Sequence, residues 1–367
     1  MRIIIAPDSF KESMTAVQAA EAIELGVRDV WPSASCRLMP LSDGGEGIGD
    51  ILTTVLGGVQ VPVGVHDARG HWRQAHIGWV ERERLAVVES ALAVGLGLIE
   101  ANERDIMTAT SRGVGEMLTA ALDLDPTRII LGLGGTATND GGAGMLQALG
   151  VGLVDAAGQA LSPGGAALLD LASVDFAELD PRWALVRLDI ACDVSNPLTG
   201  PQGASAIFGP QKGATANQVE VLDRALVHLA AMINSPDSDQ PGIGAAGGMA
   251  LGLVTLLSAK LTPGIELVLD ACGFDEQVAG SDLVLTGEGS IDSQTAAGKT
   301  PLGVARAAAR HGVGTIVFAG KVNCPLISPF QAMVAISDHE TSLRTALANG
   351  PANLRAAVAR TLASWGK

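Results

Sequence analysis

Six carboxylates stand in loops that follow short apolar runs: Asp8, Asp43, Asp140, Asp193, Glu288 and Asp292. Any one of them could form a turn or cap a helix; six in the same setting point to chemistry. The lysines are distributed in a matching way. The chain has only six, and four sit among small residues, in Ser9-Phe10-Lys11, Gln211-Lys212-Gly213, Gly298-Lys299-Thr300 and Gly320-Lys321-Val322. In such loops an ammonium can approach a phosphate as a point charge. Lys260 and Lys367 read as ordinary surface or terminal residues. Phosphoryl transfer needs cations on the moving group, carboxylates for Mg²⁺ and a base beside the acceptor hydroxyl. Loops of this composition supply all three. Mg²⁺ uses only one or two protein carboxylates, so most of the six must serve in other ways.

Two glycine motifs bear on the reaction class. Gly132-Leu-Gly134-Gly135-Thr-Ala137 matches the dinucleotide fingerprint G-x-G-x-x-A, with Asp155 further on as the acidic partner. However, Asn139-Asp140-Gly141-Gly142 intervenes before the next helix and lengthens the loop beyond the tight turn of an NAD site. A phosphate- or substrate-binding turn at a helix N-terminus suits it better; a purely structural turn is the plain alternative. Gly298-Lys299-Thr300 resembles the end of a P-loop. That pattern needs glycine at 293, where Ser293 stands, and the preceding strand is expected to stop about twelve residues too early. The histidines (66, 71, 76, 228, 311, 339) show no partner spacing and are read as surface or structural. The cysteines (36, 192, 272, 324) show no C-x-x-C or Cys/His ligand spacing. A reduced, cytoplasmic compartment without structural zinc is expected.

These residues must be positioned by a sizeable framework. At 367 residues the chain exceeds what one core usually serves, so two domains are expected. With 47% apolar and 17% charged residues it is neither disordered nor a coiled coil. No uninterrupted apolar run reaches the roughly 18 residues of a membrane span; the richest, 85–99, is broken by Glu89 and Ser90. The N-terminal run Arg2-Ile-Ile-Ile5 is too short for a signal peptide and reads as a first strand. A net charge of −15 argues against nucleic acid as a partner. It also means that an anionic substrate needs local cations, Mg²⁺ or both.

Toward the ends of the chain, strands (2–6, 36–41, 282–286, 314–319, 333–337) alternate with helices (15–29, 301–311, 351–364). Thr15 is expected to cap the first helix, and Pro301 takes the favoured first position of the second. This alternation predicts an α/β fold with a doubly wound parallel sheet. Residues from 63 onward read differently. A hairpin over 61–80 turns at Asp67–Gly70, and strands at 85–89, 128–133, 151–154 and 186–191 mix with Gly-rich loops. The expected organisation is a discontinuous first domain, 1–62 plus 280–367, with a mixed α/β domain, 63–279, inserted in it. Ligands of an open parallel sheet bind beyond the carboxyl ends of its strands. Half of the site is therefore expected at loops 8–11, 43–47 and 287–299, with the inserted domain reaching the same strand ends.

Several segments together resemble one family. They are Ala-Pro-Asp-Ser-Phe-Lys (6–11), Asp-Gly-Gly-Glu-Gly (43–47), Ala-Thr-Asn-Asp-Gly-Gly-Ala-Gly-Met-Leu (137–146) and Cys-Asp-Val-Ser-Asn-Pro-Leu-Thr-Gly (192–200). Phe-Gly-Pro-Gln-Lys-Gly (208–213), Ala-Ala-Gly-Gly-Met (245–249), Thr-Gly-Glu-Gly-Ser-Ile-Asp-Ser-Gln-Thr (286–295) and Gly-Lys-Thr-Pro (298–301) complete the series. In this order they resemble the bacterial type I glycerate kinases. The resemblance implies two α/β domains, one flavodoxin-like and the other mixed and inserted. It implies transfer of the ATP γ-phosphate to D-glycerate with Mg²⁺, giving 2-phosphoglycerate, with 3-phosphoglycerate as the competing product.

The loop chemistry and the resemblance yield a set of expected roles. Lys11, Lys212 and Lys299 neutralise phosphate and carboxylate charge, and Asp193 or Asp43 accepts the hydroxyl proton. Glu288 or Asp292 holds Mg²⁺. The backbone at Asn139, Asp140, Gly141, Gly247, Gly248 and Gly287 cradles the nucleotide oxygens. The acid substrate is expected at Asp8, Ser9, Ser111, Arg112 and Thr295. Partners are expected to be small molecules, with neither nucleic acid nor membrane; a homodimer stays open. The alternatives are an NAD-dependent hydroxy-acid dehydrogenase and a metabolite-binding protein without catalysis.

Overall fold

The computed structural model describes residues 1–10, 12–41, 47–236, 238–291, 300–337 and 342–365. The expected site residues Lys11, Asp43, Asp292, Thr295 and Lys299 lie outside them. In chain order the first strands are β1 (Arg2–Ile5), β2 (Ser35–Leu38), β3 (Val59–His66), β4 (Trp72–Val80), β5 (Leu85–Glu89) and β6 (Arg128–Gly132). They are followed by β7 (Gly152–Asp155), β8 (Leu171–Asp175), β9 (Arg187–Ala191), β10 (Lys260–Thr262), β11 (Leu283–Ile291), β12 (Thr315–Val322) and β13 (Phe330–Ala335). The chain divides into two compact units, Met1–Asp43 with Ile265–Lys367, and Gly44–Gly264.

The first unit holds a sheet in the order β13-β12-β11-β1-β2, every neighbouring pair parallel. Counted within the unit, that is the 2-1-3-4-5 order of flavodoxin-like sheets. Parallel strands covered on both faces carry apolar runs, here Ile3–Ile5 of β1, Leu283–Leu285 of β11 and Ile316–Phe318 of β12. Ile3, Ile5, Leu285, Ile316 and Phe318 pack with Ile23, Val27, Leu354 and Val358 from two covering helices, Ala16–Val30 and Gly350–Ser364. Thr15 caps the first of these in a capping box: its Oγ1 accepts from the Gln18 amide (3.2 Å), and Gln18 Oε1 accepts from the Thr15 amide (2.9 Å).

The second unit holds a six-stranded sheet, β10-β9-β6-β5-β4-β3. β4 runs antiparallel to its neighbours β3 and β5, while β5, β6, β9 and β10 are parallel. The expected hairpin is β3–β4, and the Asp67 carboxylate fixes its turn by accepting from the amides of Arg69 (2.8 Å) and His71 (2.9 Å). β7 and β8 form a separate antiparallel pair.

Three expectations are corrected. The units divide at 43/44 and 264/265 rather than at 62 and 279. Residues 48–62 belong to the second unit because helix Ile48–Val55 contacts β4 and β5, burying Ile48 and Leu52, and Val59 of β3 pairs with Trp79. Residues 265–279 belong to the first because Ile265 packs directly on Gly303 of helix Thr300–Arg310, against which helix Phe274–Val278 also lies. Second, β11 continues to Ile291, so Gly287-Glu288-Gly289 is strand rather than loop; Gly287 pairs with Phe318 and Glu288 with Ala319. Third, Lys321 is an exposed residue of β12, not a loop lysine.

Candidate functional site

In the second unit, the loops directly after β6 and β9 carry Asn139, Asp140, Gly141 and Asp193 of the expected residues. Beyond β6 the chain runs through Thr136–Asn139 to Asp140, ahead of helix Ala143–Ala148. Asp140 is fully buried. Its Oδ2 accepts from the Ser111 amide (2.8 Å), from Ser111 Oγ (2.8 Å) and from the Gly144 amide (3.2 Å), and its Oδ1 accepts from the Gly142 amide (3.1 Å). Ser111 is the N-cap of helix Arg112–Leu122, and its Oγ also accepts from the Met145 amide (2.9 Å). One carboxylate therefore joins the first turns of two helices, where negative charge is favoured. Burial pushes the Asp140 carboxyl up, and the hydrogen bonds from Ser111, Gly144 and Gly142 hold it back in part.

Lys212 closes a short turn, Pro210–Lys212, and is 3% exposed. Its Nζ donates to the Thr138 carbonyl (2.7 Å) and lies 3.5 Å from Thr136 Oγ1. Burial pushes the ammonium down to about 8, against the pull of the Asp140 charge. Asn139 is fully buried and donates from Nδ2 to Ser205 Oγ (2.9 Å). Its Oδ1, together with Thr138 Oγ1 beside it, has no partner among the described residues. The Gly141 amide donates to the Gly247 carbonyl (3.0 Å). Ala246, Gly247 and Gly248 are left-handed in succession (φ 52°, 72° and 85°). A Cβ on Gly247 would run into the Thr138 carbonyl and Asn139 Cα, so a glycine is needed for this close approach.

Asp193 follows β9, is exposed, and accepts at Oδ1 from the Gly264 amide (2.9 Å). Its loop leans on the segment leading to Gly247, since the Gly242 and Gly244 amides donate to the Asn196 carbonyl (3.2 and 3.0 Å). Arg112 is exposed and donates from Nε to Glu116 Oε1 (2.8 Å). Burial pushes the Glu116 carboxyl up, but hydrogen bonds from Arg112 and His66 outweigh it and the net displacement is downward.

In the first unit, Asp8 and Ser9 follow β1 and are half-buried. The Asp8 amide donates to the Gly287 carbonyl (2.8 Å), Asp8 Oδ1 accepts from the Ser9 amide (2.6 Å) and Asp8 Oδ2 from Thr300 Oγ1 (2.6 Å). Gly287 lies against Phe10 and the Phe318 carbonyl. Glu288, next along β11, is 7% exposed.

The structure thus gathers Ser111, Asn139, Asp140, Gly141, Lys212, Gly247 and Gly248 into one buried cluster. In the first unit it gathers Asp8, Ser9 and Gly287. The side-chain oxygens of Ser111 and Asp140, like the Lys212 ammonium, make bonds within the protein. Their geometry shapes the loop after β6, whereas Asp193, Arg112, Asp8 and Ser9 have surface to offer a ligand. Three participants did not emerge from the sequence: Thr300, Ser205 and Glu89. Glu89 ends β5 with its carboxylate accepting from the Gly47 amide (2.8 Å). Its signal in the sequence was a carboxylate closing a fully apolar run.

Among the described residues no group of three or more His, Cys, Asp or Glu side chains could hold a metal ion. An Mg²⁺ carried on nucleotide phosphates needs only one or two hard oxygen ligands from the protein. Glu288, within β11, has that donor chemistry, as has Asp8, which follows β1.

Comparison with known proteins agrees on one family. A family model described as the glycerate kinase family matches residues 3–366. The chain is 50% identical over 327 residues to a glycerate kinase of Bacillus subtilis strain 168, covering 88% of this chain and 86% of that protein. It is 44% identical over 326 residues to the glycerate 2-kinase of Escherichia coli K12, again covering 88% and 86%. A crystal structure of a glycerate kinase 2 candidate from Salmonella typhimurium LT2 superimposes with a TM-score of 0.90 at 43% identity, covering 99% of this chain and 98% of that one.

Proposed function

The chain belongs to the glycerate kinase family, and from that premise we propose that it transfers the γ-phosphoryl group of ATP to the 2-hydroxyl of D-glycerate. The observation that carries this reading is the likeness, over 88% of the chain, to a relative named for 2-phosphorylation. The site is in keeping with it. Phosphoryl transfer asks little covalent chemistry of the protein and much positioning of charge. The Asp140–Ser111–Lys212 cluster is a rigid buried support of that kind for the loop Gly132–Gly142.

In this reading Asp193 accepts the hydroxyl proton, with its Oδ1 oriented by the Gly264 amide; Asp43 is the second candidate. Arg112 faces the substrate carboxylate with its guanidinium aligned by Glu116. Glu288 or Asp292 would hold Mg²⁺, and Asp8, with Oδ2 bonded to Thr300 Oγ1 and Oδ1 to the Ser9 amide, contacts the acid substrate. The ion would neutralise charge on the β- and γ-phosphates. Lys11 and Lys299 supply the remaining positive charge. The reaction is expected in a reducing, cytoplasmic compartment, where the four cysteines persist as free thiols.

The test is ADP release in a coupled assay with Mg-ATP and D-glycerate. The reading expects turnover that depends on both substrates. No ADP release, or oxidation of NADH by hydroxypyruvate instead, overturns it.

A further inference from the structure

After β8 the chain passes Phe176 and Leu179, makes the short turn Pro181–Leu185 and enters β9. Together with the end of helix Ala245–Leu257 and the start of β10, this segment lines a cleft of about 620 Å³. A cavity of that size accommodates one small organic molecule. The cleft lies wholly in the second unit, at the amino ends of β9 and β10, whereas Asp193 follows the carboxyl end of β9. Its walls are apolar at Leu179, Trp183, Leu256 and Leu257, and the ring of Phe176 is left 41% exposed. Apolar walls with a few charged groups are the usual make-up of a ligand site.

Three charged side chains line the cleft: Asp180, Arg187 and Lys260. Asp180 is already engaged, its Oδ2 accepting from Arg182 Nε (2.9 Å) and Nη2 (2.7 Å) and its Oδ1 from the Arg182 amide (2.8 Å). On β9 the fully buried Asp189 accepts from Nε of Arg128 (2.7 Å) and from Nε of Arg187 (3.2 Å). This bond fixes the Arg187 guanidinium through Nε and, among the described residues, leaves both its Nη groups open. Lys260 stands beside Asp189 in register, and its ammonium has no hydrogen bond or ion pair among the described residues. In a chain of net charge −15, two cations thus face an apolar cleft with donors to offer. We propose that this cleft binds a small organic carboxylate with an aromatic or aliphatic body. The anion lies between Arg187 Nη and the Lys260 ammonium, and the body lies on Phe176 and Trp183. A guanidinium fork matches carboxylate geometry, and the ammonium adds a point charge. The inference does not depend on the reaction proposed above.

The probes are 2-naphthoate and its uncharged counterpart of the same shape, 2-naphthamide, each titrated into the protein and followed by ligand NMR. The wild type is expected to bind 2-naphthoate with a Kd of about 1 mM or tighter, and 2-naphthamide at least about fivefold more weakly. Lys260→Met should weaken 2-naphthoate about fivefold or more and leave 2-naphthamide unchanged. Phe176→Ser should weaken both probes by similar factors. Thermal unfolding establishes that both variants are folded. Saturating Mg-ATP and D-glycerate should leave 2-naphthoate bound. Absence of binding, equal affinity for the two probes, an unchanged affinity in either variant, or displacement by the substrates overturns the inference. Sedimentation tests the other occupant: a dimer that Lys260→Glu splits would assign the cleft to a second copy of the chain and overturn the inference as well.

Discussion

Replacing Lys212 by methionine measures what it costs to hold an ammonium inside the second unit. In the folded protein its proton affinity drops from 10.5 to about 8 because burial penalises the charged form. That drop corresponds to about 3 kcal/mol. The sign follows from the direction: the folded value lies below the unfolded one. Between about pH 8 and 10.5 the unfolded chain holds a proton that the native state lacks, so this group's contribution to stability rises with pH. Below pH 8 the burial cost is present in full, and above 10.5 it is gone. Lys212→Met removes the titration but also the hydrogen bond to the Thr138 carbonyl, a loss of about 1–3 kcal/mol. The variant should therefore equal or exceed the wild type by up to about 2 kcal/mol at pH 7.5 and fall below it by about 1–3 kcal/mol at pH 10.5. Burial raises the thiols of Cys36, Cys192 and Cys272, the last to about 12. They lose stability as pH rises, but both proteins contain them and they cancel in the difference. Urea unfolding followed by tryptophan fluorescence suits the purpose, since Trp72, Trp79 and Trp183 all lie in this unit. A wild-type-minus-variant difference that stays constant from pH 7.5 to 10.5 would refute the reasoning.

Ser111→Ala leaves an Asp140 oxygen and the Met145 amide short of a partner, and should destabilise by about 2–3 kcal/mol in urea unfolding. Gly247→Ala places a Cβ against the Thr138 carbonyl at a left-handed position; it should cost at least about 2 kcal/mol by the same measurement. Thr300→Val withdraws the hydroxyl that donates to Asp8, and kcat/KM should fall about tenfold, with Thr300→Ser restoring most of it. Asp193→Asn and Asp43→Asn should differ, the base losing on the order of 10²-fold or more in kcat; near-normal kcat in both variants removes both assignments.

The first unit was legible because its signals are local. Arg2–Ile5 and Leu283–Ile291 are apolar runs of strand length, Thr15 and Gln18 are spaced as a capping box, and Pro301 enters a helix where proline is favoured. Its limits were less so, because a short helix such as Ile48–Val55 shows no preference for a unit until its buried face meets β4 and β5. β11 was read too short since Gly287-Glu288-Gly289 looks like a loop; pairing with Phe318 and Ala319 carries the strand through it. Residue types at the site were readable, but depth was not. Lys212 and Asp140 look the same in sequence whether they face a ligand or each other, and only the fold reveals that both are buried. Glu89 and Thr300 carry no assignable role in the sequence because their partners are 42 and 292 residues away.

The account centres on transfer to the 2-hydroxyl of D-glycerate. Incubating the protein with Mg-ATP and D-glycerate and recording the ³¹P NMR spectrum of the product tests this directly. A secondary phosphate ester coupled to a single methine proton, the signature of 2-phosphoglycerate, is the expected result. A primary ester coupled to two methylene protons, as in 3-phosphoglycerate, would contradict the position of transfer, and unchanged ATP would contradict the reaction itself.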